Sequence, residues 1–197
     1  MGEYEQDNNT DNGKETIEWQ VLAKEGSKVL VISKYALDFM PYNIEDEGVT
    51  WETCTLRTWL NETFYNTAFN ENEREKIVKS IVKADPNYGY TTPGNDTTDN
   101  IFLLSGIEAE RYFADNDARV CDATDYVVAR DIESGSVYED EEDKRCAWLL
   151  RTPDKYYQYG ITRVSPYGTI LWEGSNVIYK WAIRPAMWID IEMWECE

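Results

Sequence analysis

The stretch that most constrains this chain is residues 147–191, AWLLRTPDKYYQYGITRVSPYGTILWEGSNVIYKWAIRPAMWIDI. Short apolar runs alternate there with turn signals, and aromatic and charged side chains are interleaved throughout. This pattern predicts several antiparallel strands that build a core on one side and present a surface on the other. Strands are expected at 159–165, 169–172, 177–181 and 183–191, with turns at SPYG and EGSN. Pro185 is hard to place inside a strand and should mark a bulge or an edge.

The same stretch holds more rings than a core readily absorbs: Tyr156, Tyr157, Tyr159, Tyr167, Trp172, Tyr179 and Trp181. Tyr and Trp give large, rigid contact area at low entropic cost, so binding surfaces favour them. Arg163, Glu173, Asn176 and Lys180 add hydrogen-bonding groups between the rings. Trp148 and Trp188 are assigned to the core, and the Tyr156–Tyr159 cluster is expected to be exposed.

Charge and missing residue types narrow the function. The formal net charge is −19, which repels phosphate backbones and makes nucleic acid an unsuitable partner. No apolar run approaches a membrane span. The chain has no histidine, so Ser-His-Asp and Cys-His catalysis and the HExxH zinc site are ruled out. Cys54, Cys121, Cys146 and Cys196 form no CxxC pair and fit no zinc or redox motif. Cys121 and Cys146 flank a segment that a disulfide would close, and free buried thiols fit the spacing equally well.

Upstream, the first fifteen residues are polar. Asp7, Asn9, Asp11 and Glu18 loosely resemble a calcium loop, but Asn12 stands where that loop needs glycine, and a solvated arm or turn is expected instead. Ile17 to Ser33 reads as a hairpin, and Tyr35 to Tyr42 as irregular structure. Thr55 to Phe69 is the clearest helix, with Leu56, Trp59, Leu60 and Phe64 on one face and Thr55 as N-cap. Asn70 with Glu73, and Ser105 with Glu108, form capping boxes for two further helices. Residues 84–100 read as a long loop, Ile101 to Leu104 as a buried strand, and Ala123 to Ile132 as another helix. The acidic run YEDEEDKR at 138–145 reads as a solvated loop, although its carboxylates have the chemistry to hold a hard cation. No internal repeat or linker is present. One α+β domain over 1–197 is predicted, with 1–14 as a polar arm or incomplete first strand.

WLLRTP, then SPYGTI, then IRPAMWI resembles the end of a bacterial domain family of uncharacterised function associated with the C-type lectin-like fold. GKETIEWQVLAKEGSKVLVISKYALD resembles the family's opening, VTWETCTLRTWLNETFYNTAF its first helix and NIFLLSGIEAERYF its second. The pattern is also similar to the variable ligand-binding proteins of diversity-generating retroelements and, more remotely, to formylglycine-generating enzymes. The resemblance implies antiparallel strands with two or more helices and long loops, and a C-terminal surface that binds a protein or glycan. In that likeness Arg151, Pro153, Arg184 and Pro185 match scaffold motifs. Ile161, Val164, Gly168, Ile170 and Ile183 match framework positions, and the eleven ring and polar residues above fall where contact residues are exposed. Neither EPN nor WND, the calcium-dependent sugar motifs of animal C-type lectins, is present. The chain begins slightly inside the family's usual first strand, which implies a piece cut from a longer surface or secreted protein. An extracellular or cell-surface location is expected, with a cytoplasmic one as the alternative. The expected function is a non-catalytic binding module without cofactor or metal. The alternatives are a thiol- and metal-dependent oxidase using Cys121 and Cys146, or a structural domain of a larger surface protein.

Overall fold

The structure is a computed structural model that describes residues 1–131, 137–139 and 143–194. Short strands β1 (Glu3–Tyr4) and β2 (Glu15–Thr16) pair first, and β3 (Trp19–Glu25) and β4 (Lys28–Ser33) form the expected hairpin. β5 (Asp38–Pro41) follows, and then one unbroken helical run. The run is α1 (Thr55–Trp59), a π-helical turn (Leu60–Phe64) and α2 (Tyr65–Ala68), with α3 (Glu71–Lys76) after it. β6 (Ile77–Val78), β7 (Ser80–Val82) and β8 (Thr97–Asp99) lead to α4 (Gly106–Tyr112), α5 (Asn116–Arg119) and α6 (Asp125–Val128). The remaining strands are β9 (Val137–Glu139), β10 (Lys144–Cys146), β11 (Trp148–Pro153), β12 (Gly160–Val164), β13 (Ile170–Asn176), β14 (Lys180–Ile183) and β15 (Ala186–Asp190). The class is α+β, rich in antiparallel sheet, with short helices. Among the described residues no helix is long and apolar enough to cross a membrane.

Two sheets carry the fold. One has the order β13-β12-β11-β14-β5 and the other β3-β4-β15-β6. Arg184 and Pro185 lie between β14 and β15, so the strand expected over 183–191 is split there, and Pro185 marks the passage from one sheet to the other rather than a bulge or an edge. Arg184 is buried at that joint. Its Nε donates to the Ser33 carbonyl at 2.7 Å, and its guanidinium lies 5.2 Å from the Trp148 ring centroid. Arg151, also buried, forks onto both carboxylate oxygens of Glu108 and reaches Asp85 at 3.2 Å. Glu108 is itself the N3 residue of the Ser105 capping box, so one ion pair locks α4 against β11.

Several expectations need correction. Cys54, not Thr55, is the N-cap of α1; the Thr55 hydroxyl instead accepts the Ile44 N–H at 3.2 Å. Asp38–Pro41 is a strand, paired with β14 from Asp38↔Ile183 to Pro41↔Lys180. The EGSN segment belongs to β13, and the chain turns at 177–179. Of the helix expected from Ala123 to Ile132, only Asp125–Val128 is helical, capped by Thr124, and Ile132 lies outside the described residues. Ile101 to Leu104 is buried but makes one isolated bridge, Phe102↔Ala186. Residues 140–142 of the acidic run, and Cys196, also lie outside the described residues. The N-terminal arm docks on the body: the Gly2 N–H donates to Glu73 at 2.7 Å, and the Tyr4 ring sits 5.2 Å from that of Phe64. Glu5, Asp7 and Glu15 each bring a carboxylate oxygen within 4.8 Å of the others, drawn together by N–H groups of Gln6 and Asn9. Glu18 is not in this group; it pairs with Lys34 at 2.8 Å.

Candidate ligand-binding surface

The aromatic surface is built on one buried carboxylate. Asp154 follows Pro153 at the end of β11 and is only 4% exposed. Its Oδ1 accepts the main-chain N–H groups of Tyr156 and Tyr157 at 2.6 and 2.9 Å. Its Oδ2 accepts the N–H of Gly174 at 2.5 Å. The Asp154 N–H donates to the Gly160 carbonyl, the Gly160 N–H to the Tyr157 carbonyl and the Lys155 N–H to the Trp172 carbonyl, each at 2.9 Å. Hydrogen bonds to a charged carboxylate are about twice as strong as neutral ones, so the main chain of 154–160 is firmly held. Gln158 turns inward and ties this strap to its neighbours. Its amide donates to the carbonyls of Val49 and Thr92 at 3.1 and 3.0 Å.

The other side chains of the strap are left facing water. Tyr156, Tyr157 and Tyr159 are 43%, 57% and 48% exposed, and Tyr90 joins them at 88%. The four rings form a continuous row. Centroids are 6.2 Å apart for Tyr90–Tyr156, 6.4 Å for Tyr156–Tyr157 and 5.5 Å for Tyr157–Tyr159. Tyr90 reaches the row because its N–H donates to the Lys155 carbonyl at 2.8 Å. That approach requires Gly89, where a Cβ would lie 2.0 Å from the same oxygen. At the far end, the Tyr159 carbonyl accepts the Val177 N–H at 2.9 Å, and the Val177 carbonyl accepts the Asn43 N–H at 3.0 Å. The loops beside Tyr159 expose Ile44, Ile178 and Tyr179.

The eleven residues singled out in the sequence do not all share this surface. Tyr156, Tyr157 and Tyr159 form its centre, and Tyr179 flanks it. Glu173 and Lys180 are exposed. Tyr167 is exposed but sits in the β12–β13 turn, at the other end of a five-residue strand, roughly 17 Å along. Arg163 and Trp181 are engaged with each other. The guanidinium lies 4.3 Å from the indole and also donates to the Ser175 hydroxyl, and burial lowers its pKa. Trp172 packs against Gly106 and Tyr88. The Asn176 amide donates to Asp46 at 2.7 Å. Sequence reasoning missed Tyr88 and Tyr90. The available signal was a pair of tyrosines around one glycine inside a loop otherwise built of turn formers.

Residues 26–191 match the DUF6273 family, a domain of unknown function. The chain belongs to this family. No curated protein and no solved structure matches it. The DUF6273 span includes the whole tyrosine row, the Asp154 clamp and the buried Arg151 and Arg184. The Glu5–Asp7–Glu15 carboxylates lie outside it. Within the DUF6273 span, the arginines and Asp154 form the frame and the tyrosines form what the frame displays.

Proposed function

We propose that this DUF6273 domain is a non-catalytic binding module whose ligand, a protein or a glycan, docks on the tyrosine row. One observation carries the reading: three exposed rings stand on a strap clamped by Asp154, and Tyr90, tied to the Lys155 carbonyl of that strap, extends them into a row of four. Ordering a loop on binding costs free energy, and a surface already ordered avoids that cost. A buried aromatic anchor contributes roughly 2 kcal/mol or more, so four rings suffice for an affinity in the micromolar range, about −8 kcal/mol. Lys155, 5.0 Å from the Tyr156 ring, and exposed Glu173 supply polar contacts at the rim. The strongly negative chain is unsuited to nucleic acid. The reading places the module outside the cell or on its surface, on a C-type lectin-like variant of the α+β architecture. The thiol-oxidase alternative is weaker, because Cys121 and Cys146 are both buried and a substrate could not reach them without local opening.

The test is binding of the wild-type domain and of Tyr157→Ala/Tyr159→Ala to arrays of cell-surface glycans and ectodomains. The reading expects at least one ligand that the variant binds tenfold or more weakly. Ligands held equally by both proteins would overturn it.

A further inference from the structure

Cys121 and Cys146 face each other across an antiparallel bridge. The bridge pairs Asp122 with Arg145. Its flanking main-chain bonds run from the Cys146 N–H to the Cys121 carbonyl at 2.9 Å and from the Ala123 N–H to the Lys144 carbonyl at 2.8 Å. One step outward from Asp122 and Arg145 therefore sets Cys121 directly opposite Cys146, with both side chains on the same face. Residues opposed in this way have Cα atoms about 5.5 Å apart, within the roughly 4.4–6.8 Å that a disulfide spans. The Cys146 thiol points at its partner and donates to the Cys121 carbonyl at 3.4 Å. Both cysteines are buried and free.

A buried cation lies beside them. Arg184 Nη2 donates to the Lys34 carbonyl at 3.4 Å, and the Cys121 thiol donates to the same oxygen at 3.6 Å. Arg184 is 2% exposed, and its Nη1 has no hydrogen-bond partner among the described residues; nor has Asp122 Oδ1. A guanidinium with an idle N–H close to a thiol favours the thiolate. Burial by itself raises the Cys121 pKa. The hydrogen bond with Cys146 and the Arg184 charge outweigh it, so Cys121 titrates below an ordinary thiol. Cys146 is held well above the ordinary range, first by its hydrogen bond to Cys121 and then by burial. At Cys54 burial outweighs the neighbouring Arg57 charge and the Tyr42 hydroxyl and pushes the thiol up to about 12. One member of the pair is thus set up as a nucleophile and the other as a proton holder, while Cys54 is inert.

We propose that Cys121 and Cys146 form a reversible dithiol–disulfide couple whose exchange partner is a small disulfide such as oxidised glutathione. The Cys121 thiolate attacks one glutathione sulfur, forms a mixed disulfide and expels a glutathione thiolate. Cys146 then gives up its proton and attacks the Cys121 sulfur, expelling the second glutathione. The two protein thiols lose two electrons and two protons, and the small disulfide takes them up as two thiols. Because both sulfurs are buried, exchange occurs as the chain folds or when the bridge opens locally. Closure links residue 121 to residue 146 beside the arginine that joins the two sheets.

The experiment is refolding from urea in a glutathione redox buffer, trapping with N-ethylmaleimide under denaturing conditions, and peptide mapping. The expected product joins Cys121 to Cys146, is two hydrogen masses lighter, reverts with dithiothreitol and leaves Cys54 carrying maleimide. Cys146→Ser should lose the internal link and carry glutathione on Cys121. Circular dichroism confirms that each sample has refolded. A refolded protein with Cys121 and Cys146 both alkylated in the oxidising buffer, or with Cys121 joined to Cys54 or Cys196, would overturn the proposal.

Discussion

The Asp154 carboxylate accepts the Gly174 N–H at 2.5 Å across a sequence separation of 20 residues. With its other oxygen it holds the N–H groups of Tyr156 and Tyr157. One buried side chain therefore fixes both the tyrosine strap and the irregular middle of β13. Removing it leaves three main-chain donors without that acceptor. Asp154→Ala should cost about 2–4 kcal/mol, read as a lower urea midpoint, and should weaken any ligand of the tyrosine row. Asp154→Asn keeps one acceptor oxygen and should lose less.

Gly174 has a second constraint. β12 and β13 shift register between Ile161↔Ser175 and Arg163↔Leu171, and a Cβ on Gly174 would lie 1.8 Å from the Ile161 carbonyl. Backbone blocks that space, so no rotamer can relieve the clash. Gly174→Ala should destabilise by about 1–3 kcal/mol. The hydrogen-exchange protection of β12 and β13 should fall before that of β4 and β15.

Arg151 is an ion-pair hub in the interior. It binds Glu108, Asp85 and the carbonyls of Leu103 and Lys83. Arg151→Met strands the Glu108 carboxylate and should cost about 3–5 kcal/mol by chemical denaturation. The double variant Arg151→Met/Glu108→Gln should recover part of that loss.

Alkaline pH should expose the docking of the N-terminal arm. Burial first, then the charge of Asp38 and the hydrogen bond to it, raise the pKa of Tyr4; the phenol donates to Asp38 Oδ2 at 2.5 Å. In the unfolded chain it titrates at about 10. The folded state therefore favours the protonated phenol. Its contribution is fully present below pH ~10 and is lost as pH rises towards the higher folded value. Thermal stability should fall above that pH in the wild type and fall less steeply in Tyr4→Phe.

What could be read from the sequence was local. Asn70 with Glu73 and Ser105 with Glu108 are separated by three residues, so both capping boxes are visible in the string and present in the fold. The β3–β4 hairpin and the Leu56–Phe64 stripe depend on equally short spacings. What was hidden depends on distant partners. Asp38–Pro41 is a strand because Trp181 and Ala182 lie beside it, and its own residues carry no period. Glu173 to Asn176 has the composition of a turn, yet Asp154 and Ile161 hold it in a strand. The candidate surface divides the same way. Tyr156, Tyr157 and Tyr159 were visible as a dense cluster. Tyr90 became part of it only through the Lys155 carbonyl, and the Arg163 guanidinium lies over the Trp181 ring across the intervening strand β11.

The most direct measurement is the affinity of one array-identified ligand for four proteins: wild type, Tyr157→Ala, Tyr90→Ala and Tyr167→Ala. If the clamped row is the docking surface, the first two variants lose tenfold or more in Kd and Tyr167→Ala, at the remote turn, stays within twofold. Equal binding by all four, or a loss confined to Tyr167→Ala, would contradict it.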